Sequence, residues 1–144
     1  MYKTVFTNGC FDIIHPGHFN LLSYCRKLAG DCGEVIVALD SDEKVKKDKG
    51  QSSPIFSFKE RHNALLSLCD DTYYFNGPVV DEIYQFSTNE ELHELIKKIK
   101  PDIIVKGTDW KDNVVGSDLA KVEHFIIYPQ FSTTKIINRC KENK

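Results

Sequence analysis

The chain has 144 residues, of which 41% are hydrophobic and 28% charged, the make-up of an ordinary globular protein that buries its core without disulfide or metal staples. A length of this order predicts one domain over residues 1–144; no apolar run approaches the ~18 residues of a membrane span, and no secretory segment precedes the first strand, so a cytoplasmic protein with no membrane partner is expected. The net charge of -2 argues against a nucleic-acid partner, which calls for a basic excess, and the five cysteines, odd in number with no C-x-x-C pair, read as reduced thiols.

In chain order, short runs rich in Val, Ile, Tyr and Phe alternate with helical patterns. Strands are expected at Thr4–Thr7, Glu34–Asp40, Asp71–Asn76, Asp102–Gly107 and His124–Pro129. Their apolar runs are mostly continuous, as in strands covered on both faces. Helices are expected from Pro16 to about Leu28, Lys59 to about Leu68, Asn89 to about Lys100 and Thr133 to about Arg139. Pro16 suits a first helical turn, Gly30 a helix stop, and Ser87 with Glu90 a capping box. Alternation of this kind predicts an α/β, Rossmann-like doubly wound parallel sheet of five strands in the order 3-2-1-4-5. Between the second strand and the next helix, Lys44–Gly50 sets four lysines against one aspartate and reads as a flexible basic loop, either a solvated face or a lid over anionic substrates.

Chemistry concentrates in "TNGCFDIIHPGH", Thr7–His18. This is the turn after the first strand, where open parallel sheets bind ligands. Gly9 suits a positive φ or a close approach, and Gly17 opens a helix whose free N–H groups favour an anion. His15 and His18, three apart, share a face. By pattern alone they fit a phosphate site, a solvent-facing pair at a helix start, or part of a metal site lacking a third ligand of matching spacing.

The same stretch resembles the G-x-F-D-x-x-H-x-G-H signature of the cytidylyltransferase-like nucleotidyltransferases, and "FSTTKII", Phe131–Ile137, resembles their second S-T-T-x-I signature. The resemblance runs from Thr4 to Arg139 and is closest to the nucleotidyltransferase domain of bacterial ADP-heptose synthases. It is carried also by "KVKKDKG", Pro54-Ile55, Arg61, "PDIIVKGTDW" and "VGSD". Glycerol-3-phosphate cytidylyltransferases share much of this but place an arginine just before the last motif, where "YPQFSTT" has none.

The resemblance implies transfer of a nucleotidyl group from an NTP to a sugar or polyol phosphate, with ATP favoured over CTP and a homodimer expected. It implies that His15 and His18 stabilise charge on the α-phosphoryl group. Lys44 and Lys46, or whichever lysine of the cluster folds inward, would span the acceptor phosphate and the triphosphate. Ser132, Thr133 and Thr134 would hold the β- and γ-phosphates. Thr7, Asn8, Gly9 and Phe11 would cover the nucleotide, with Asp12 fixing the loop. Lys106 and Gly107 would read the base, Asp109 would meet ribose or metal-bound water, and Trp110 would wall the pocket. Arg61 would grip a phosphate bidentately, and Ser117 and Asp118 would meet sugar hydroxyls. Mg²⁺ is expected as cofactor, held by the nucleotide and water rather than by a protein cage. Besides a cytidylyltransferase for a small phosphate, the alternative is a catalytically idle nucleotide-binding module.

Overall fold

The computed structural model describes residues 2–70, 76–108, 113–128 and 130–143. Five parallel strands form the main sheet: β1 (Thr4–Gly9), β2 (Glu34–Asp40), β5 (Glu82–Phe86), β6 (Ile103–Gly107) and β7 (Lys121–Phe125), in the order β5-β2-β1-β6-β7. The short strands β3 (Cys69–Asp70) and β4 (Gly77–Pro78) pair antiparallel beside it. Among the described residues five helices complete the fold: α1 (Pro16–Ala29), α2 (Asp42–Lys49), α3 (Phe58–Leu66), α4 (Asn89–Ile99) and α5 (Thr133–Glu142).

The central strands are largely apolar along their buried lengths because both faces are covered. Val5, Val35, Val37, Leu39 and Val105 point into one layer with Leu21, Leu22 and Cys25 of α1 and Leu65 of α3. Phe6, Ile36, Ala38 and Ile104 point into the other, with Leu92 and Ile96 of α4. Since the strands are parallel, their carboxyl ends lie along one edge, where Gly9 pairs with Leu39, Asp40 with Phe86 and Gly107 with Phe125. From β1 the chain passes through α1 to β2 on one side, and from the edge strand β5 it returns through α4 to β6 on the other. The crevice between the outgoing connections opens above β1, where such folds take ligands.

The expected strand order is the observed one, with two revisions of its members. The third strand beside β2 is Glu82–Phe86, whereas the expected Asp71–Asn76 lies outside the described residues except for Asn76. β5 is an edge strand with mostly exposed side chains, so it lacks the continuous apolar run that marks its neighbours. β7, also at an edge, begins at Lys121 rather than His124 for the same reason.

Helix ends follow local chemistry. Gly30, at φ 71°, closes α1 and returns its N–H to Arg26. At α4 the cap is Thr88, which accepts from Glu91 N–H at 3.1 Å, rather than Ser87. Ser87 instead receives the Glu91 carboxylate on its N–H at 2.7 Å and donates its hydroxyl to Ser41 at 2.8 Å. The lysine segment is not a loop: Asp42–Lys49 is helical, capped by Ser41, whose Oγ accepts from Lys44 N–H at 3.1 Å. It buries one residue, Val45, so it carries no apolar stripe by which a helix is read from sequence.

Candidate active site

His15 is the N-cap of α1. Its Nδ1 accepts from Gly17 N–H at 3.1 Å, and His18 Nδ1 accepts from the His15 N–H at 3.3 Å. This reciprocal capping box, built from two histidines, satisfies two of the donors that a helix start leaves open. Because each Nδ1 is an acceptor, each neutral ring carries its proton on Nε2 and offers it as a donor. The rings stack with centroids 3.7 Å apart. Burial lowers the pKa of His15. His18 is pushed down to about 3 by burial first, then by the charges of His15 and Lys49. Both rings are therefore neutral donors near pH 7. Gly17 makes the stack possible, since a Cβ there would lie 2.8 Å from the His15 ring and 3.0 Å from Phe131 Cβ.

Ahead of this cap the chain is strained. Phe11 and Ile13 hold φ values of 49° and 52°, and for a β-branched residue such a value is an outlier that costs on the order of 1–3 kcal/mol. Gly9, where a positive φ was one expectation, serves instead by close approach: a Cβ there would sit 3.1 Å from the Phe11 ring. Three clasps hold the loop. Arg61 Nη1 donates to Cys10 O at 2.8 Å. The Asp12 carboxylate accepts from Ile55 N–H at 2.6 Å and Phe56 N–H at 3.0 Å. Thr133 Oγ1 donates to Asp12 O at 2.7 Å.

That last bond brings the N-terminus of α5 onto the histidine loop. Ser132 caps α5, its Oγ accepting from Lys135 N–H at 3.1 Å, and Phe131 lies against Gly17. Two helix N-termini thus meet at Asp12, with free N–H groups and dipoles that favour an anion. Ser132 and Thr133 stand at this junction, and Thr134 is exposed beside them. At the floor, Thr7 is buried and its Oγ1 has no hydrogen-bond partner, while Lys106, also buried, donates to Asn8 O at 3.1 Å and ties β6 to β1. Gly107 ends β6 beside them.

Several expected contacts are replaced by others. Phe11 is 4% exposed and belongs to the core, its ring 5.3 Å from the His18 ring, which it supports. Asp12 fixes the loop, with both carboxylate oxygens engaged by backbone. Arg61, expected to grip a phosphate, is 1% exposed and its guanidinium is engaged by the protein, donating to Cys10 O, to Phe56 O at 3.0 Å and to Asp42 at 2.8 Å. Lys44 is held by Asp48 at 2.6 Å and Asp40 at 3.5 Å and lies over the Phe86 ring. Lys46 is exposed. Burial raises the pKa of Cys10, a rise that the charge of Lys49 partly offsets, and Lys49 also adds to the lowering of the His18 pKa. Only the fold singles Lys49 out, because the four lysines look alike in sequence. Asp118 pairs with His93 of α4 at 3.0 Å, which holds the Ser117–Asp118 turn to that helix and not to the histidine loop. Asp109 and Trp110 lie outside the described residues. Among the described residues no group of three His, Cys, Asp or Glu side chains converges as a metal cage, and no helix is long and apolar enough to cross a membrane.

Residues 6–139 match the family described as cytidylyltransferase-like. The chain belongs to this family. Membership makes the protein a nucleotidyltransferase. The chain is 46% identical over 144 residues to the Bifunctional protein HldE of Campylobacter jejuni subsp. doylei, covering 99% of this chain and 28% of that protein. It is 40% identical over 141 residues to the Bifunctional protein HldE of Helicobacter pylori strain J99, covering 96% and 28%. It thus spans less than a third of the length of these relatives. Among solved structures, the lipopolysaccharide core biosynthesis protein from Thermoplasma volcanium GSS1 is similar at 26% identity and a TM-score of 0.63, over 89% of this chain and 98% of that one.

Proposed function

We propose that the protein transfers an adenylyl group from ATP to a sugar 1-phosphate, such as heptose 1-phosphate, giving an ADP-sugar and pyrophosphate. The observation that carries this reading is the junction of two helix N-termini at Asp12 and Thr133, beside two imidazoles that present Nε2–H. A polyphosphate needs donors of this kind, fixed in place before the reaction. An acceptor phosphate is largely anionic at neutral pH, so no general base is required. One of its oxygens attacks the α-phosphorus in line, a new P–O bond forms, and the bond to the β-phosphate oxygen breaks to release pyrophosphate. His15 and His18 stabilise the charge on the α-phosphoryl oxygens. The end of α5 holds the β- and γ-phosphates, and Lys49 neutralises the incoming phosphate.

Mg²⁺ would neutralise charge on the triphosphate, bound to its oxygens and to water; the donor-rich loop, with Asp12 fully engaged, suits a metal that arrives on the nucleotide. The sugar acceptor and ATP are supported by the resemblance to the HldE proteins and by the arginine-free approach to Ser132. A CTP-dependent glycerol-3-phosphate cytidylyltransferase is the second reading, favoured by the shared "STTKI" motif. The test is pyrophosphate release for each of four NTPs against heptose 1-phosphate and glycerol 3-phosphate. ATP with the heptose phosphate should turn over fastest, and His15→Ala or His18→Ala should lower kcat by roughly a hundredfold. Faster turnover of CTP with glycerol phosphate overturns the choice of substrates, and near-normal turnover in both variants overturns the role of the histidines.

A further inference from the structure

Between α2 and α3 the segment Pro54–Ser57 runs past the histidine loop, and two of its side chains are unusual for a small domain. Ile55 is 52% exposed and Phe56 44%, although their backbone is tied by hydrogen bonds to buried side chains. Both N–H groups donate to the buried Asp12 carboxylate, and Phe56 O accepts from Arg61, which also grips Cys10 O. The segment is thus a strap bonded to the loop that carries His15 and His18, with its apolar side chains left outside the core. Holding two large apolar groups in water on a rigid strap has no benefit for folding.

The surroundings say what the strap faces. The polyphosphate junction lies on the α5 side of the histidine loop, where Thr133 meets the Asp12 carbonyl. The strap instead meets the Asp12 carboxylate, through the Ile55 and Phe56 N–H groups, and it follows the lysine-rich helix α2 in the chain. A cation and an apolar wall are the two elements that recognise a cyclic sugar phosphate, whose phosphate takes the charge and whose C–H face packs on an aromatic ring.

We propose that Ile55 and Phe56 form the apolar wall of the acceptor subsite and make the enzyme prefer a pyranose phosphate to an acyclic polyol phosphate. The inference rests on the reading of the protein as a nucleotidyltransferase acting on a phosphate acceptor. An acyclic polyol presents no continuous C–H face, so it gains little from the wall, and inorganic phosphate gains nothing.

Calorimetric titration of the full chain, in the presence of Mg²⁺ and a non-hydrolysable ATP analogue, tests this with three probes: heptose 1-phosphate, glycerol 3-phosphate and inorganic phosphate. The wild type should bind the heptose phosphate at least about tenfold more tightly than glycerol phosphate, the scale of one apolar contact in a binding pocket. Phe56→Ser and Ile55→Ser should each remove most of that difference. The affinity for inorganic phosphate and for the ATP analogue should stay as in the wild type. Phe56→Leu, which stays apolar, should retain part of the preference. Equal affinities in the wild type and both serine variants overturn the proposal, as does a wild type that binds no sugar phosphate. A parallel titration with the ATP analogue alone separates the two levels: if it binds normally while the wall has no effect, only the wall is wrong, and if it does not bind, the nucleotidyltransferase reading falls as well.

Discussion

Replacing Arg61 by methionine tests whether the guanidinium is a clasp or a ligand-binding group. The side chain is 1% exposed and donates to Cys10 O at 2.8 Å, Phe56 O at 3.0 Å and Asp42 at 2.8 Å. Methionine fills most of the volume of the stem but leaves two part-buried carbonyls without this donor, at a cost of up to about 1–3 kcal/mol each. The ion pair itself adds less than a fully buried one, because the Asp42 side chain is 35% exposed and water screens it. The sum is about 3–5 kcal/mol, a large part of the roughly 5–15 kcal/mol that holds a domain folded. With a urea slope of about 1–3 kcal/mol per molar, the unfolding midpoint should fall by roughly 2 M. Arg61→Lys, which keeps one donor group, should fall between the two. Turnover should drop as well, since the strained residues Phe11 and Ile13 lose one of the three clasps that hold the loop. If Arg61→Met unfolds at the wild-type midpoint while binding of nucleotide or acceptor fails, the clasp is refuted and the arginine binds a phosphate.

Three further outcomes follow from the same geometry. His18 is neutral in the fold, with a pKa of about 3 against an ordinary value of 6.5, so below pH 6.5 the unfolded chain binds a proton that the native chain does not and stability falls as pH falls. From pH 7 to pH 5 the wild type should lose about 2 kcal/mol more than His18→Gln in urea titrations, and equal losses would refute the neutral ring. Lys49→Ala should raise KM for the acceptor phosphate by roughly tenfold or more, as expected when a charged partner is removed, whereas Lys44→Ala, whose ammonium is held by Asp40 and Asp48, should change it less; the reverse order in steady-state kinetics would return the role to Lys44. Gly17→Ala should leave the circular dichroism spectrum unchanged but lower kcat by roughly a hundredfold, because a Cβ 2.8 Å from the His15 ring must displace the stacked pair and small misplacements cost about that much; a full-speed variant would show that the stack is dispensable.

The sequence by itself determined those features whose causes are local or periodic. The buried strands announce themselves because both faces need apolar side chains, and the start and stop of α1 because a proline and a glycine satisfy backbone geometry within one turn. The histidine loop was legible for a similar reason: His15, Gly17 and His18 cap their own helix through bonds that span two or three residues. What only the tertiary structure decided depends on partners far apart in the chain. Arg61 looks like a surface arginine at the start of a helix until the fold brings Cys10, 51 residues away, and Asp42, 19 away, to its guanidinium. Asp12 reaches Phe56 across 44 residues, which makes a turn aspartate the anchor of a strap. Among the four lysines of Lys44–Gly50, composition offers no distinction. Helix formation over Asp42–Lys49 turns Lys44 toward Asp40 and Asp48 and leaves the charge of Lys49 to act on His18. Local hydrogen bonds and burial patterns are written in neighbouring residues, whereas the assignment of a charge to a partner is settled only when packing brings the two together.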